Sequence, residues 1–154
     1  MLTDKEIGEI QTVLSKIGEP RSHSVEALKM LQQRRGFISD EAIRDLAALL
    51  GMTPDELDAI ATFYPFIFRK PVGRHVIYIC DNVTCWIMGY ESILDHITKR
   101  LGVTLGETTL DHNFTVLPVS CIGACDHAPA LMIDDELYGD LTPAKIDSIL
   151  ERYS

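Results

Sequence analysis

Apolar residues in the first seventy positions recur at helical spacing. Ile7, Ile10, Leu14 and Ile17 fall three and four apart and define one stripe of a helix. Thr3 and Glu6 precede it as a capping box, in which hydroxyl and carboxylate satisfy opposite backbone amides. Gly18 and Pro20 are expected to end it. A second helix is expected from Ser22 or Ser24, with Val25, Leu28 and Leu31 inward and Gly36 as its stop. Ser39 caps a third, with Ile43, Leu46, Ala47 and Leu50 inward before Gly51. Thr53-Pro54-Asp55-Glu56 opens a fourth, carrying Leu57, Ile60 and Ala61 up to Pro65.

Beyond Pro71 the pattern changes. Ten β-branched residues suited to strands lie there: Val76, Ile77, Ile79, Val83, Val103, Thr104, Thr108, Thr109, Val116 and Val119. His75–Ile79 and Phe114–Val119 are expected strands, each running into a cysteine. Ile87–Arg100 reads as a helix with Ile93, Leu94 and Ile97 inward. Ala130–Ile133 and Leu137–Leu141 read as a hairpin about Asp134-Asp135-Glu136, and Thr142-Pro143 opens a last helix. The order β-α-β-β-α is a minimal thioredoxin-like layout. The expected fold is therefore α+β: a helical bundle over residues 1–70, read as a docking domain, then a thioredoxin-like α/β domain over residues 71–154.

Charge divides at the same place. Residues 1–70 hold 9 basic and 11 acidic groups, a net of −2; residues 71–154 hold 5 and 12, a net of −7. The total of −9 argues against nucleic acid as a partner, which needs clustered Lys and Arg. The longest apolar run, Leu46–Met52, is far too short to span a bilayer, so no direct membrane insertion is expected. The opening Met-Leu-Thr-Asp carries no export pattern, so a cytoplasmic location is expected.

All four cysteines lie in the acidic part. Cys80 and Cys85 form a C-x4-C pair, and Cys121 and Cys125 a C-x3-C pair. In a parallel arrangement both pairs reach the same sheet edge, where ligand sites form. Gly123 lets the second loop bend tightly, so that backbone amides can face sulfur. Without an oxidising compartment these thiols are better read as metal ligands than as disulfides. Three chemistries compete. A dithiol redox site would carry C-x-x-C at a helix start, and none is present. A zinc site made of four cysteines usually has two-residue spacings. An iron–sulfur centre fits the wide pairs better, but spacing alone leaves zinc open.

Other residues carry weaker signals. His127, two beyond Cys125, is expected at the surface or behind the ligands rather than as a ligand. Trp86 is expected to pack over the metal site and exclude water, and Pro129 suits a cis peptide. Asp81 and Asp126, each beside a cysteine, are the acids expected to act on the centre's charge. Phe63, Tyr64, Phe66 and Phe68 are expected to form a hydrophobic plug joining the two parts; the competing reading is an exposed anchor for a partner. Met30-Leu31 and Leu131-Met132 are expected in the core. No G-x-G-x-x-G, phosphate-loop, H-E-x-x-H or G-x-S-x-G motif occurs, so no NADH or flavin site is evident.

The cysteine pattern, with Ala61-Thr-Phe-Tyr64, Pro71-Val-Gly-Arg-His75 and Leu117-Pro-Val-Ser-Cys121, resembles the thioredoxin-like [2Fe–2S] ferredoxin family over nearly the whole chain. Within it the likeness is to the peripheral [2Fe–2S] subunits of bacterial NADH:quinone oxidoreductase, respiratory complex I. The resemblance implies that Cys80, Cys85, Cys121 and Cys125 bind one [2Fe–2S] cluster. It implies a partner flavoprotein subunit carrying FMN, the NADH site and a [4Fe–4S] cluster, with which the cluster exchanges single electrons. It also implies contact with other peripheral-arm subunits, and a place at the inner membrane through the complex. The same family supplies subunits of NAD-linked hydrogenases and formate dehydrogenases. A zinc-stabilised interaction module and a free-standing ferredoxin are the readings from other classes.

Overall fold

The structure, a computed structural model, describes residues 1–15 and 18–153. They form two compact units, Met1–Pro71 and Val72–Ser154.

The first unit is built of helices with strong local start signals. Helix α1 spans Asp4–Leu14, and its Thr3/Glu6 capping box is formed. It ends at Ser15, earlier than Gly18; Ile17, expected on its stripe, lies outside the described residues. A single 3₁₀ turn, Pro20–His23, leads into α2, Ser24–Arg35. Helices α3, Asp40–Leu50, and α4, Pro54–Phe63, start on Ser39 and on a second capping box, Thr53/Glu56. Gly36 and Gly51 stop α2 and α3 at positive φ, where a side chain would be strained. The inward stripes meet in one core that includes Ile10, Leu28, Leu31, Leu46, Leu50 and Leu57. Beneath it Glu6 is buried and receives both Nε (2.7 Å) and Nη2 (2.6 Å) of Arg35.

The segment after α4 is strapped to this bundle by polar bonds. Gln32 donates to the Phe66 carbonyl and accepts from the Phe68 amide, while Ile38 N–H donates to the Phe68 carbonyl. Arg69 bonds Asp58, Asp40 and the Ile38 carbonyl. With its backbone pinned, the strap turns Ile67 inward and leaves aromatic rings outside. Phe63 is 77 % exposed, and Tyr64 and Phe66 are also exposed. Of the four aromatics, Phe68 is half-buried.

The second unit holds the sheet. Strands β1 (His75–Cys80), β2 (Phe114–Val119), β3 (Leu131–Ile133) and β4 (Glu136–Tyr138) lie in the order β2-β1-β3-β4. β1 and β2 are parallel, in a register that sets Cys80 beside Val119; β3 runs antiparallel to β1, and β4 to β3. The hairpin turn is shorter than expected, because Glu136 already belongs to β4. Of the ten strand-type residues, Val83 is helical, and Val103, Thr104, Thr108 and Thr109 lie outside the strands, although Thr108 bridges to Thr115. The crossover also departs from expectation. Instead of one helix over Ile87–Arg100 there are two, α5 (Val83–Ile87) and α6 (Tyr90–Leu101), broken at Gly89 with φ +108°. Helix α7, Pro143–Leu150, starts on Thr142 as its cap. Ile77, Ile79, Val116, Leu131 and Ile133 pack with Ile93 and Ile97 of α6 and Ile146 and Ile149 of α7. The chain is thus α+β, with seven α-helices and one mixed four-stranded sheet among the described residues. Among those residues no helix is long and apolar enough to cross a membrane.

Candidate metal centre

The parallel β1/β2 pair decides where the cysteines arrive. Cys80 is the last residue of β1, its N–H donating to Ala130 O, and Cys121 follows β2 by two residues. Asp81 N–H donates to Val119 O, so the two strand ends are tied together at the point where the chains leave the sheet. Cys85 returns to this edge on α5, and Cys125 opens a single 3₁₀ turn, Cys125–His127.

Cys80 and Cys85 are buried in a small apolar cluster with Ala124, Ala128 and Ala130, against which Ile122 and Tyr90 pack. Burial first, then the neighbouring Cys80 thiol, pushes the Cys85 thiol up to about 11. Cys121 and Cys125 are exposed. The Gly123 amide donates to Cys121 Sγ at 3.4 Å from a backbone with φ +80°. All four cysteines are free thiols. Among the described residues no three or more His, Cys, Asp or Glu side chains are grouped as a site for a metal ion.

Four thiols delivered as two sequence pairs to one sheet edge fit a binuclear iron–sulfur group, in which each iron takes two protein thiolates. The amide directed at Cys121 favours negative charge on that sulfur.

The flanking residues are placed as follows. His127 is exposed; Nδ1 pairs with Asp140 at 2.8 Å and Nε2 faces Asp126 at 3.5 Å. Those carboxylates, Asp140 first, raise its pKa above the ordinary histidine value. Asp140 also fixes the turn through the backbone, its N–H donating to His127 O at 2.6 Å. Ala128–Pro129 is cis. Asp81 and Asp126 are exposed. Trp86 departs from expectation: it does not cover the thiols but is 56 % exposed, its indole Nε1 donating to Glu91 at 3.2 Å. Helical phase explains this, since Cys85 occupies the inward face of α5 and its neighbour must point away.

Two participants are not legible in the sequence alone. Gly139 lies against the loop after Cys125, where a Cβ would stand 2.7 Å from the His127 carbonyl oxygen. Val83, Ile87 and Met88 are exposed beside Trp86. The signal for the latter is four large apolar residues crowded around Cys85 in a segment too short to need them all for a core.

Comparison with known proteins follows the same lines. The family description "thioredoxin-like [2Fe-2S] ferredoxin" matches residues 10–154. The E subunit of NADH-quinone oxidoreductase from Pseudomonas aeruginosa is 46 % identical over 153 residues, covering 99 % of this chain and 92 % of the relative. The protein of the same name from Escherichia coli K12 is 47 % identical over 135 residues, 88 % of this chain and 81 % of that one. Among solved structures, a NAD+-reducing [NiFe]-hydrogenase in the air-oxidised state superposes with a TM-score of 0.68 at 29 % identity. That match covers 82 % of this chain and only 22 % of the hydrogenase chain.

Proposed function

This chain belongs to the thioredoxin-like [2Fe–2S] ferredoxin family, and from that premise we propose that it is the electron-transfer subunit of an NADH:quinone oxidoreductase, respiratory complex I. The observation that carries the reading is the delivery of two cysteine pairs to one edge of a parallel strand pair, in a chain that matches its quinone-oxidoreductase relatives over most of their length.

Cys80, Cys85, Cys121 and Cys125 hold one [2Fe–2S] cluster. When bound, it supplies a one-electron carrier. The chain's own residues do the rest. Cys80 and Cys85 give up their protons to become ligands, which burial of Cys85 opposes until a metal is present. Gly123 directs its amide at a ligand sulfur, and the apolar shell of Ala124, Ala128 and Ala130 keeps water from the inner pair. The NADH site, FMN and a [4Fe–4S] cluster belong to a partner flavoprotein subunit, and residues 1–70 serve for docking and bracing. The chain reaches the inner membrane only through that assembly.

Metal and sulfide analysis, visible absorption and low-temperature EPR of the reduced protein test the centre. Two irons and two sulfides per chain with a reduced-state EPR signal are expected; a colourless protein with zinc alone would overturn it. The hydrogenase match favours a second reading, a subunit of an NAD-linked hydrogenase, but at lower identity than the quinone-oxidoreductase relatives. Co-purification decides between them: quinone-reductase subunits are expected and hydrogenase subunits are not.

A further inference from the structure

Tyr90, the first residue of α6, is half-buried. It packs both against the main core of the second unit, which holds Ile93 and Ile97, and against the small cluster of Cys80, Cys85, Ala124, Ala128 and Ala130. The alanines of that cluster bring only a methyl group each to the two thiols. The Tyr90 ring is much the larger apolar surface packed there.

The break at Gly89 makes this contact possible. Cys85 is buried on the inner face of α5, and in an unbroken helix a residue five positions on would lie about 140° around the axis from it. Gly89, at φ +108°, ends the phase of α5 and starts α6 with Tyr90 returned to the cysteine cluster. A Cβ on Gly89 would meet nothing within 4 Å, so this glycine is needed for its backbone and not for space. Tyr90 thereby takes the covering position that the sequence suggests for Trp86, which is turned outward. Burial, then the charges of Asp81 and Glu91, raises the phenol above its ordinary value, so the ring stays neutral at physiological pH.

We propose that Tyr90 is the water barrier of the inner cysteine pair, and that by keeping solvent from Cys80 and Cys85 it holds down the reduction potential of the centre and slows its loss. The proposal rests on the [2Fe–2S] function assigned above. The reduced centre carries the greater negative charge, which water stabilises, so a shell that excludes water disfavours reduction. Tyr90 acts through the ligands and is a positioning residue.

The test compares the parent full chain with Tyr90→Ala and Tyr90→Phe. In the metal-free chains, modification of each cysteine by iodoacetamide is followed by mass spectrometry. Tyr90→Ala should speed modification of Cys80 and Cys85 roughly tenfold and leave Cys121 and Cys125 unchanged. In the iron- and sulfide-loaded chains, Tyr90→Ala should raise the potential in an EPR-monitored titration and speed bleaching by a chelator roughly tenfold. Tyr90→Phe keeps the ring and should stay within about twofold of the parent in both rates. If Tyr90→Ala does not hold the centre, Tyr90→Leu, which keeps apolar packing but covers less, decides on the same readouts. A variant that melts lower yet keeps the parent potential would overturn the proposal, because Tyr90 would then only fill the core. Tyr90→Phe behaving as Tyr90→Ala would also overturn it, by assigning the effect to the hydroxyl. Either result leaves the functional reading in place, whereas a parent chain that takes up zinc alone would bring down that reading and this one with it.

Discussion

The backbone N–H of Gly123 points at Cys121 Sγ, 3.4 Å away, from a conformation with φ +80°. A Cβ placed at this glycine meets nothing within 4 Å, so backbone strain alone opposes a side chain there. Gly123→Ala should therefore cost about 1 kcal/mol of stability through that strain. Relaxation of the loop should also loosen the amide–sulfur contact and lower the reduction potential, because the reduced centre carries the greater negative charge. Thermal melting and an EPR-monitored redox titration check the two parts separately.

Asp126 adjoins Cys125, but its side chain is 79 % exposed. Asp126→Asn should raise the reduction potential only slightly, since exposed charges are screened over about 8 Å at physiological salt. The difference between variant and parent should shrink further in titrations at high salt. A lower potential in the variant would refute the electrostatic argument.

The Glu6–Arg35 pair makes the helical unit sensitive to acid. Arg35 holds the Glu6 carboxyl down at about 2, against an ordinary value of 4.5. A depressed carboxylate stabilises the fold fully above the unfolded value of 4.5, and the contribution is lost as pH falls toward 2. Arg35→Ala should cost about 2 kcal/mol at neutral pH, less than for a fully buried pair because Arg35 keeps some contact with water. The acid-unfolding midpoint should also move to higher pH; denaturant melts between pH 2 and 7 measure both.

Phe63→Ser should change the unfolding free energy by less than about 0.5 kcal/mol, because the ring contributes little to any core. A loss of several times that amount in a urea melt would favour the reading of Phe63 as part of a plug.

Gly139 is required by space rather than by backbone conformation. Gly139→Ala should cost about 2 kcal/mol through overpacking against His127. Because His127 lies two residues from Cys125, the EPR line shape should change as well, which a purely local loss of stability would not produce.

Local signals carry most of the fold. Thr3/Glu6 and Thr53/Glu56 act within one helical turn, so their capping boxes can be read without knowing any distant contact. The cysteine spacing and the strands leading into it are equally local. The break at Gly89 is invisible to apolar spacing, which runs on through Ile87, Ile93 and Ile97; periodicity cannot register a single residue at positive φ. Trp86 and Phe63 escape sequence for another reason. Whether a large apolar side chain faces its own core or a partner is a property of the assembled surface, and composition is the same in both cases. The tight approach of Gly139 to His127 joins segments that no sequence period connects.

The cysteine set is lopsided, and that asymmetry dictates an order of events. Cys80 ends a strand hydrogen-bonded on both sides and shares its burial with Cys85, whereas Cys121 and Cys125 face solvent from a loop. In the proposed centre, a chelator, an oxidant or an incoming cluster donor would meet the outer two sulfurs first. Assembly and decay would then be staged through one side of the site, with the inner pair the last to be surrendered.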